Sequence, residues 1–231
     1  MKILIISDLQ FPYHHPDALD FLREVKNQTR PDRVVCIGDL VDLHTASQYT
    51  KNPNLFSPKE ELAQSRKYIA QLVKLFPKVD MLTGNHDLRI DRTIQEAGLP
   101  SDVAMPFDKV FNLPKTWKMH RELEIDDILF RHDFSTVSIL NAVRQYGQSC
   151  VQGHWHTKFE TQFSSNRKHL LWGMTVGCLI DPHSAAFDYA RNSSKTSKLA
   201  RPIIGTGVIV NGLPCLVPMV LDKHGRWIKA V

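Results

Sequence analysis

The stretch VVCIGDLVD, Val34 to Asp42, is an apolar run that passes through a glycine and ends on two carboxylates. An apolar run of this kind suits a strand buried on both faces, the arrangement of a parallel sheet covered by helices. A strand that stops on Gly-Asp delivers its carboxylate at the carboxyl edge of such a sheet, where ligands and catalytic groups of α/β proteins gather. The rest of the chain is read outward from this ending.

Upstream, KILIIS (2–7) is a second continuous apolar run, and a helix is expected from Pro16 with Ala18, Leu19, Leu22 and Val25 on one face. Downstream, LHTASQYTKNPNLF (43–56) has no period and reads as a surface loop. Ser57-Pro58-Lys59-Glu60 then opens a helix with a cap, a proline in its first turn and a Glu three residues after the cap. Leu62, Ile69, Leu72 and Val73 form its inward stripe, and Pro77 stops it. KVDMLTG (78–84) is a third strand, LRIDRTIQEAG (88–98) a short helix, DDILF (126–130) a fourth strand, Ser135 to Tyr146 a helix, and SCVQG (149–153) a fifth strand. Residues 99–120 are interrupted by prolines and resist assignment. The last third changes character: HLLWGMTVGCLI (169–180) and the pair IIGTGVIV and LPCLVPMVL around Asn211-Gly212 read as antiparallel strands with a hairpin. Between them YARNSSKTSKLARP (189–202) is small, basic and polar, a surface loop. No repeat or linker divides the 231 residues, which suit one domain spanning 1–231.

Composition narrows the class. With 42% hydrophobic and 23% charged residues the chain has the balance of a soluble globular protein. No apolar run approaches the roughly 18 residues of a membrane span, and MKILIISDLQ is too short in its apolar part for a signal peptide. A cytoplasmic protein is expected. Cys36, Cys150, Cys178 and Cys215 lie in or beside apolar runs without a CxxC pair, which points to buried free thiols. The net charge of +5 and a pI near 9.0 favour anionic partners.

Four further strands end as Val34 to Asp42 does. The five endings are SDLQ with Asp8 and Gln10, GDLVD with Asp39 and Asp42, GNHD with Asn85, His86 and Asp87, RHD with His132, and GHWH with His154 and His156. Neighbouring strands bring these side chains into one cluster of carboxylates, imidazoles and amides, a donor set suited to Mn²⁺, Fe or Zn²⁺ and unlike the thiolate cage of a structural zinc. Gly38, Gly84 and Gly153 precede Asp39, Asn85 and His154, so the backbone turns sharply there and approaches the ions.

The ordered motifs GDLVD, GNHD and GHWH, with Asp8 before them and His132 between the last two, resemble the calcineurin-like metallophosphoesterases. The resemblance covers Asp8 to His156, about two-thirds of the chain. It implies an α/β fold, a four-layer α/β/β/α sandwich of two mixed sheets with a dinuclear metal centre at the strands' carboxyl ends. By the same resemblance Asp8, Asp39 and His156 hold one ion with Gln10 beside them, and Asp39 bridges to a second held by Asn85, His132 and His154. His86 then stands above the ions as the acid for the leaving oxygen, with Asp42 and Asp87 orienting histidines. The family usually has His where this chain has Gln10, and Gly where Asp133 follows His132. An amide oxygen is a harder, weaker donor than imidazole, which biases the first ion toward Mn²⁺ over Fe, Zn²⁺ or Ni²⁺. Asp133 either partners His132 or caps the helix near Ser135.

Other residues carry two readings each. His14 either contacts substrate phosphate or lies in a turn ahead of Pro16; His44 lines the site or the loop; Arg89 meets phosphate charge or decorates a helix. Trp155 packs on the sheet, and Lys195, Lys198 and Arg201 form a solvated basic loop or an anion-attracting flap. The expected activity is metal-dependent hydrolysis of phosphodiesters of nucleic acid or nucleotide type. The alternatives are a phosphomonoesterase and a metal-bound interaction module; a non-catalytic scaffold of this fold lacks the His of GNHD, which His86 retains here.

Overall fold

The computed structural model describes residues 1–48, 51–165, 167–187 and 201–229. Alternation within the strands accounts for the layers. In β1 (Lys2–Ile6), Leu4 and Ile6 point one way, to Phe21, Leu22 and Val25 of α1 (Ala18–Thr29) and Ile69 and Leu72 of α2 (Pro58–Leu75). Ile3 and Ile5 point the other way, into a second core. There they meet Phe130 of β6 (Ile128–Phe130), Val151 of β7 (Ser149–Gln152), and Trp172 and Met174 of β9 (Leu170–Val176). A third core, Leu129 and Cys150 with Ile139, Ala142 and Val143, packs α5 (Ile139–Tyr146) on the far face of that second sheet. Helix, sheet, sheet and helix follow in order, the expected four-layer sandwich.

The first sheet also contains β2 (Arg33–Cys36), β3 (Val79–Leu82) and β4 (Trp117–His120), all parallel to β1, and a hairpin of β10 (Gly205–Val210) and β11 (Leu213–Pro218). Its order is β11-β10-β1-β2-β3-β4. The second sheet runs β5-β6-β7-β9-β8, with β6, β7 and β9 parallel and the flanking β5 (Leu123–Ile125) and β8 (Phe159–Ser165) antiparallel. Among the described residues no helix is long and apolar enough to cross a membrane.

Several elements differ from expectation. The family resemblance also places the strand-rich terminal third in the second sheet, but only β8 and β9 lie there: β10 pairs with β1, Lys2 opposite Val210, and brings β11 with it into the first. DDILF is not one strand. Asp126 and Asp127 take left-handed backbone and form the tip of the β5–β6 hairpin. The helix expected from Ser135 begins at Ile139, because Asp133 Oδ1 accepts the Ser135 N–H at 2.8 Å in a separate turn and Ser135 is left-handed. The short helix after GNHD is α3 (Arg89–Glu96), and residues 99–120 supply a 3-10 turn (Ser101–Val103), the short α4 (Phe107–Val110) and β4. Cys36, Cys150 and Cys178 are buried free thiols, and Cys215 is free and exposed. Lys195 and Lys198 lie outside the described residues; Arg201 is exposed.

Candidate metal centre

The five strand ends meet at one edge of the sandwich, three from the first sheet and two from the second. Asp8 follows β1, Asp39 follows β2, and Asn85 follows β3, while His132 follows β6 and His154 and His156 follow β7. Asp8, Gln10, Asp39 and His154 all have left-handed backbone, with φ of 49°, 45°, 50° and 64°. That conformation lets each chain reverse at once and direct its side chain back over the strand end.

Close approach of the turns depends on glycine. A Cβ on Gly84 would fall 2.1 Å from Asp39 Oδ1, and one on Gly153 would fall 2.7 Å from Asp8 Oδ2. Neither position has room for any side chain. Asp87 locks the same turns from within: its carboxylate accepts the N–H groups of Gly84 at 2.8 Å, Asp39 at 2.9 Å and Val41 at 3.3 Å. The expected role in orienting a histidine is thus replaced by one in fixing backbone.

The ligand atoms converge in two overlapping sets. His156 Nε2 lies 3.1 Å from Asp8 Oδ1 and 3.3 Å from Gln10 Nε2. Asn85 Oδ1 lies 3.0 Å from His132 Nε2 and 2.9 Å from His154 Nδ1, and His132 Nε2 is 3.2 Å from Asp39 Oδ2. Asp39, His132 and His154 bring ligand atoms within 4.8 Å of one another. Gln10 is wholly buried, and its Oε1 has no hydrogen-bond partner. A buried amide oxygen without a donor is costly; Nε2 is the atom turned to His156, so Oε1 would meet a cation beside His156 and Asp8 with the amide turned over. The donor set and this orphaned oxygen fit divalent ions.

Charge within the cluster is strongly coupled. Burial pushes the Asp39 carboxyl up, yet the His132 and His86 rings outweigh it and hold the group below the usual range. Asp8 follows the same pattern, burial opposed by its hydrogen bond with His156, and also lies low. Burial opposes protonation of His132, but Asp39 above all raises it to about 10. Burial, reinforced by the Asp39 charge, lifts Asp87 to about 7. Burial and the neighbouring His132 lower His154. His132 Nδ1 lies 3.0 Å from the Ile37 carbonyl, so Asp133 is neither its partner nor a helix cap.

His86 stands at the rim of this cluster. Its Nδ1 is 2.8 Å from Asp42 Oδ1, and its Nε2 faces Asp39 Oδ2 at 3.8 Å. The Asp42 pairing fixes a proton on Nδ1 and directs Nε2 toward the ligand cluster. Burial opposes charge on His86, but Asp39 and Asp42 prevail and raise its pKa. Arg89 joins them: Nη1 donates to the Asp42 carbonyl at 2.6 Å, and Nη2 lies 3.2 Å from His86 Nε2.

The remaining candidates lie elsewhere. His14 packs between Phe11 and Tyr68, with ring centroids at 4.6 and 4.3 Å, and burial lowers its pKa to about 4. It belongs to the aromatic core behind the loop rather than to a phosphate site. His44 accepts the Asn52 N–H at 3.1 Å through Nε2 and so secures its own loop. Trp155 meets the His154 ring edge-on at 5.1 Å. Two buried polar residues of α2, Glu61 and Ser65, escape sequence reasoning; both are fully buried beside these loops. A capped helix whose inward positions include Glu and Ser carries the only sequence trace of them.

Two mixed sheets sandwiched by helices, with Asp, Asn and His gathered at one edge, define a metal-dependent phosphoester hydrolase of the α/β/β/α class. The model of the calcineurin-like phosphoesterase family matches residues 1–188, and the chain belongs to that family. It is 27% identical over 219 residues to the gene 54 protein of Mycobacterium phage L5, covering 80% of this chain and 82% of that one. Among solved structures it resembles Vps29 of Chaetomium thermophilum at 11% identity, with a TM-score of 0.50 over 98% of this chain and 91% of that one. The phosphoesterase Yfce of E. coli is 14% identical, with a TM-score of 0.47 over 100% and 98% of the two chains. The family works with divalent metal ions on phosphoester substrates.

Proposed function

We propose that this phosphoesterase hydrolyses phosphodiester bonds of nucleic acid or nucleotide-type substrates, with Mn²⁺ as its metal. Asp8, Gln10, Asp39 and His156 would hold one ion, and Asp39, Asn85, His132 and His154 the other. Bound there, two divalent ions supply Lewis-acid charge to the phosphoryl oxygens and lower the pKa of a water.

The chain's own contribution rests on one observation, the His86–Asp42 pair at 2.8 Å beside the ligand cluster. With Nδ1 held by Asp42, His86 presents Nε2 to a phosphoester bound over the cluster. A proton delivered from Nε2 neutralises the leaving oxygen as its bond to phosphorus breaks. Asp42 retains the Nδ1 proton throughout and keeps the ring oriented. His86→Ala is expected to retain metal and lose roughly 10²–10⁴-fold in rate on esters with poor leaving groups. Loss of metal in that variant would make His86 a ligand instead.

Support for a polyanionic diester comes from the net charge of +5. Arg89 favours a second reading, since a guanidinium beside His86 suits the additional charge of a phosphomonoester. Rates on aryl monoesters, aryl diesters, cyclic nucleotides and DNA with Mn²⁺ separate the two. Diester turnover abolished by chelator is expected, with DNA binding that weakens steeply with salt. Turnover confined to monoesters would select the second reading.

A further inference from the structure

The inward face of α2 changes character along its length. Ile69 and Leu72 enter the outer core, whereas Glu61 and Ser65, one turn apart, occupy the same face fully buried. Burying a carboxylate is unfavourable unless its oxygens are met by donors, and Glu61 is met by three. Oε1 accepts the His44 N–H at 2.7 Å, and Oε2 accepts the Thr45 N–H at 3.1 Å and the Thr45 hydroxyl at 2.8 Å. Ser65 Oγ donates to the Phe11 carbonyl at 3.1 Å, and the same carbonyl accepts the Asp42 N–H at 3.0 Å. The first half of α2 therefore grips both loops that leave β1 and β2.

What Glu61 holds leads to His86. Leu43 is left-handed, φ 51°, and His44–Ala46 coil into one 3-10 turn whose first free amides are those that Glu61 binds. Asp42 immediately precedes this turn. Its carboxylate orients His86, and its carbonyl accepts from Arg89. An apolar side chain at Glu61 would leave the buried His44 amide and the half-buried Thr45 amide without acceptors, and the turn would relax to find them. The displacement would pass through Leu43 to Asp42.

We propose that Glu61 is a positioning residue for His86, acting through the turn at residues 43–46 and through Asp42. The inference rests on the reading of His86 as the leaving-group acid. It makes no claim on metal binding, since Glu61 touches none of the ligand residues.

The test compares Glu61→Ala, Glu61→Gln, His86→Ala and Ser57→Ala in the full chain with Mn²⁺. Aryl phosphodiesters with good and poor leaving groups are the substrates, and metal content and Tm are measured beside kcat and KM. Glu61→Ala is expected to keep its metal and its KM, and to lose roughly tenfold or more in kcat on the poor leaving group, short of the 10²–10⁴-fold of a lost acid. The good leaving group, which needs little protonation, should be nearly unaffected. Glu61→Gln retains one acceptor oxygen and should recover most of the loss. Ser57→Ala, which removes the α2 capping box without touching the turn, should lower Tm and leave the ratio of the two substrates unchanged.

Equal losses on both substrates in Glu61→Ala would show a stabilising role alone and overturn the proposal. Leaving-group dependence in His86→Ala without any in Glu61→Ala overturns the Glu61 inference by itself. Absence from both removes the reading of His86 and the inference together. Should Glu61→Ala fail to fold, Thr45→Val removes one of the three donors and should move the ratio the same way by a smaller factor; an unchanged ratio there overturns the proposal equally.

Discussion

Asp39 carries more of this site than any other side chain. It is 1% exposed, its Oδ1 accepts the His86 N–H at 2.7 Å, and its Oδ2 faces His132 at 3.2 Å. Asp39→Asn keeps an oxygen for the amide but removes the charge shared by the two ligand sets. Metal analysis of that variant should find most of the bound metal gone, and full occupancy would refute a bridging role. Gln10 invites a finer measurement. An amide oxygen donates less than imidazole, so the first ion should be the weaker of the two and calorimetric titration with Mn²⁺ should show two phases. Gln10→His should tighten the weaker phase and Gln10→Ala should loosen it, while identical isotherms would place Gln10 outside the site. Left-handed backbone at Asp8, Gln10, Asp39 and His154 costs on the order of 1–3 kcal/mol each. Asp87 and the tight glycine contacts hold those turns where isolated peptides would not stay.

At the scale of elements, the β3 turn and the start of α1 are the sensitive junctions. Gly84→Ala drives a methyl into Asp39 and should cost about 1–3 kcal/mol by overpacking, read as a lowered midpoint in urea. At α1, Asp17 accepts from Arg226 Nε at 2.7 Å and the Trp227 N–H at 3.1 Å, while Trp227 meets Phe21 edge-on. The Arg226 hydrogen bond lowers the Asp17 pKa to about 2. A lowered carboxyl stabilises the fold above its unfolded pKa of about 3.9 and loses that effect as pH falls through the folded value. The stability gap between the wild type and Asp17→Asn should therefore close between about pH 4 and pH 2; a constant gap would exclude the ionised clasp. Elements with one dominant signal were legible in the sequence. The strand ends stood out because apolar runs stop abruptly on Asp, Asn and His, and Ser57–Glu60 announced α2 by its capping chemistry. β8 was not legible, since FETQFSS is a half-exposed edge strand without a clean alternation. Glu61 and Ser65 were not legible, because their partners lie across loops that the sequence alone does not bring together. His14 was open between a phosphate contact and a turn ahead of Pro16, and its packing between two aromatic rings decides its role.

On the scale of the whole molecule, the centre sits on the seam between the sheets and draws ligands from both. Binding of metal should therefore fasten one half of the sandwich to the other. A ligand at a hundred times its Kd adds about 2.7 kcal/mol, a Tm rise of roughly 5–10 °C for a chain of this size. Chelation should reverse that rise, and a Tm indifferent to Mn²⁺ would contradict a seam-spanning site. The hairpin of β10 and β11 has a different bearing. It covers β1 from residues 205–218, beyond the 188 that the family model spans and beyond every ligand residue. At about 5–20 residues per second, synthesis leaves roughly 10–40 s between β1 and its neighbour β10. Once His156 has been made, for roughly the last 2–10 s of that interval, the nascent chain owns its full set of ligands yet exposes an unpaired apolar strand edge. A polypeptide released between residues 156 and 205 would thus be rich in metal ligands and prone to aggregate, its defect one of solubility before it is one of catalysis.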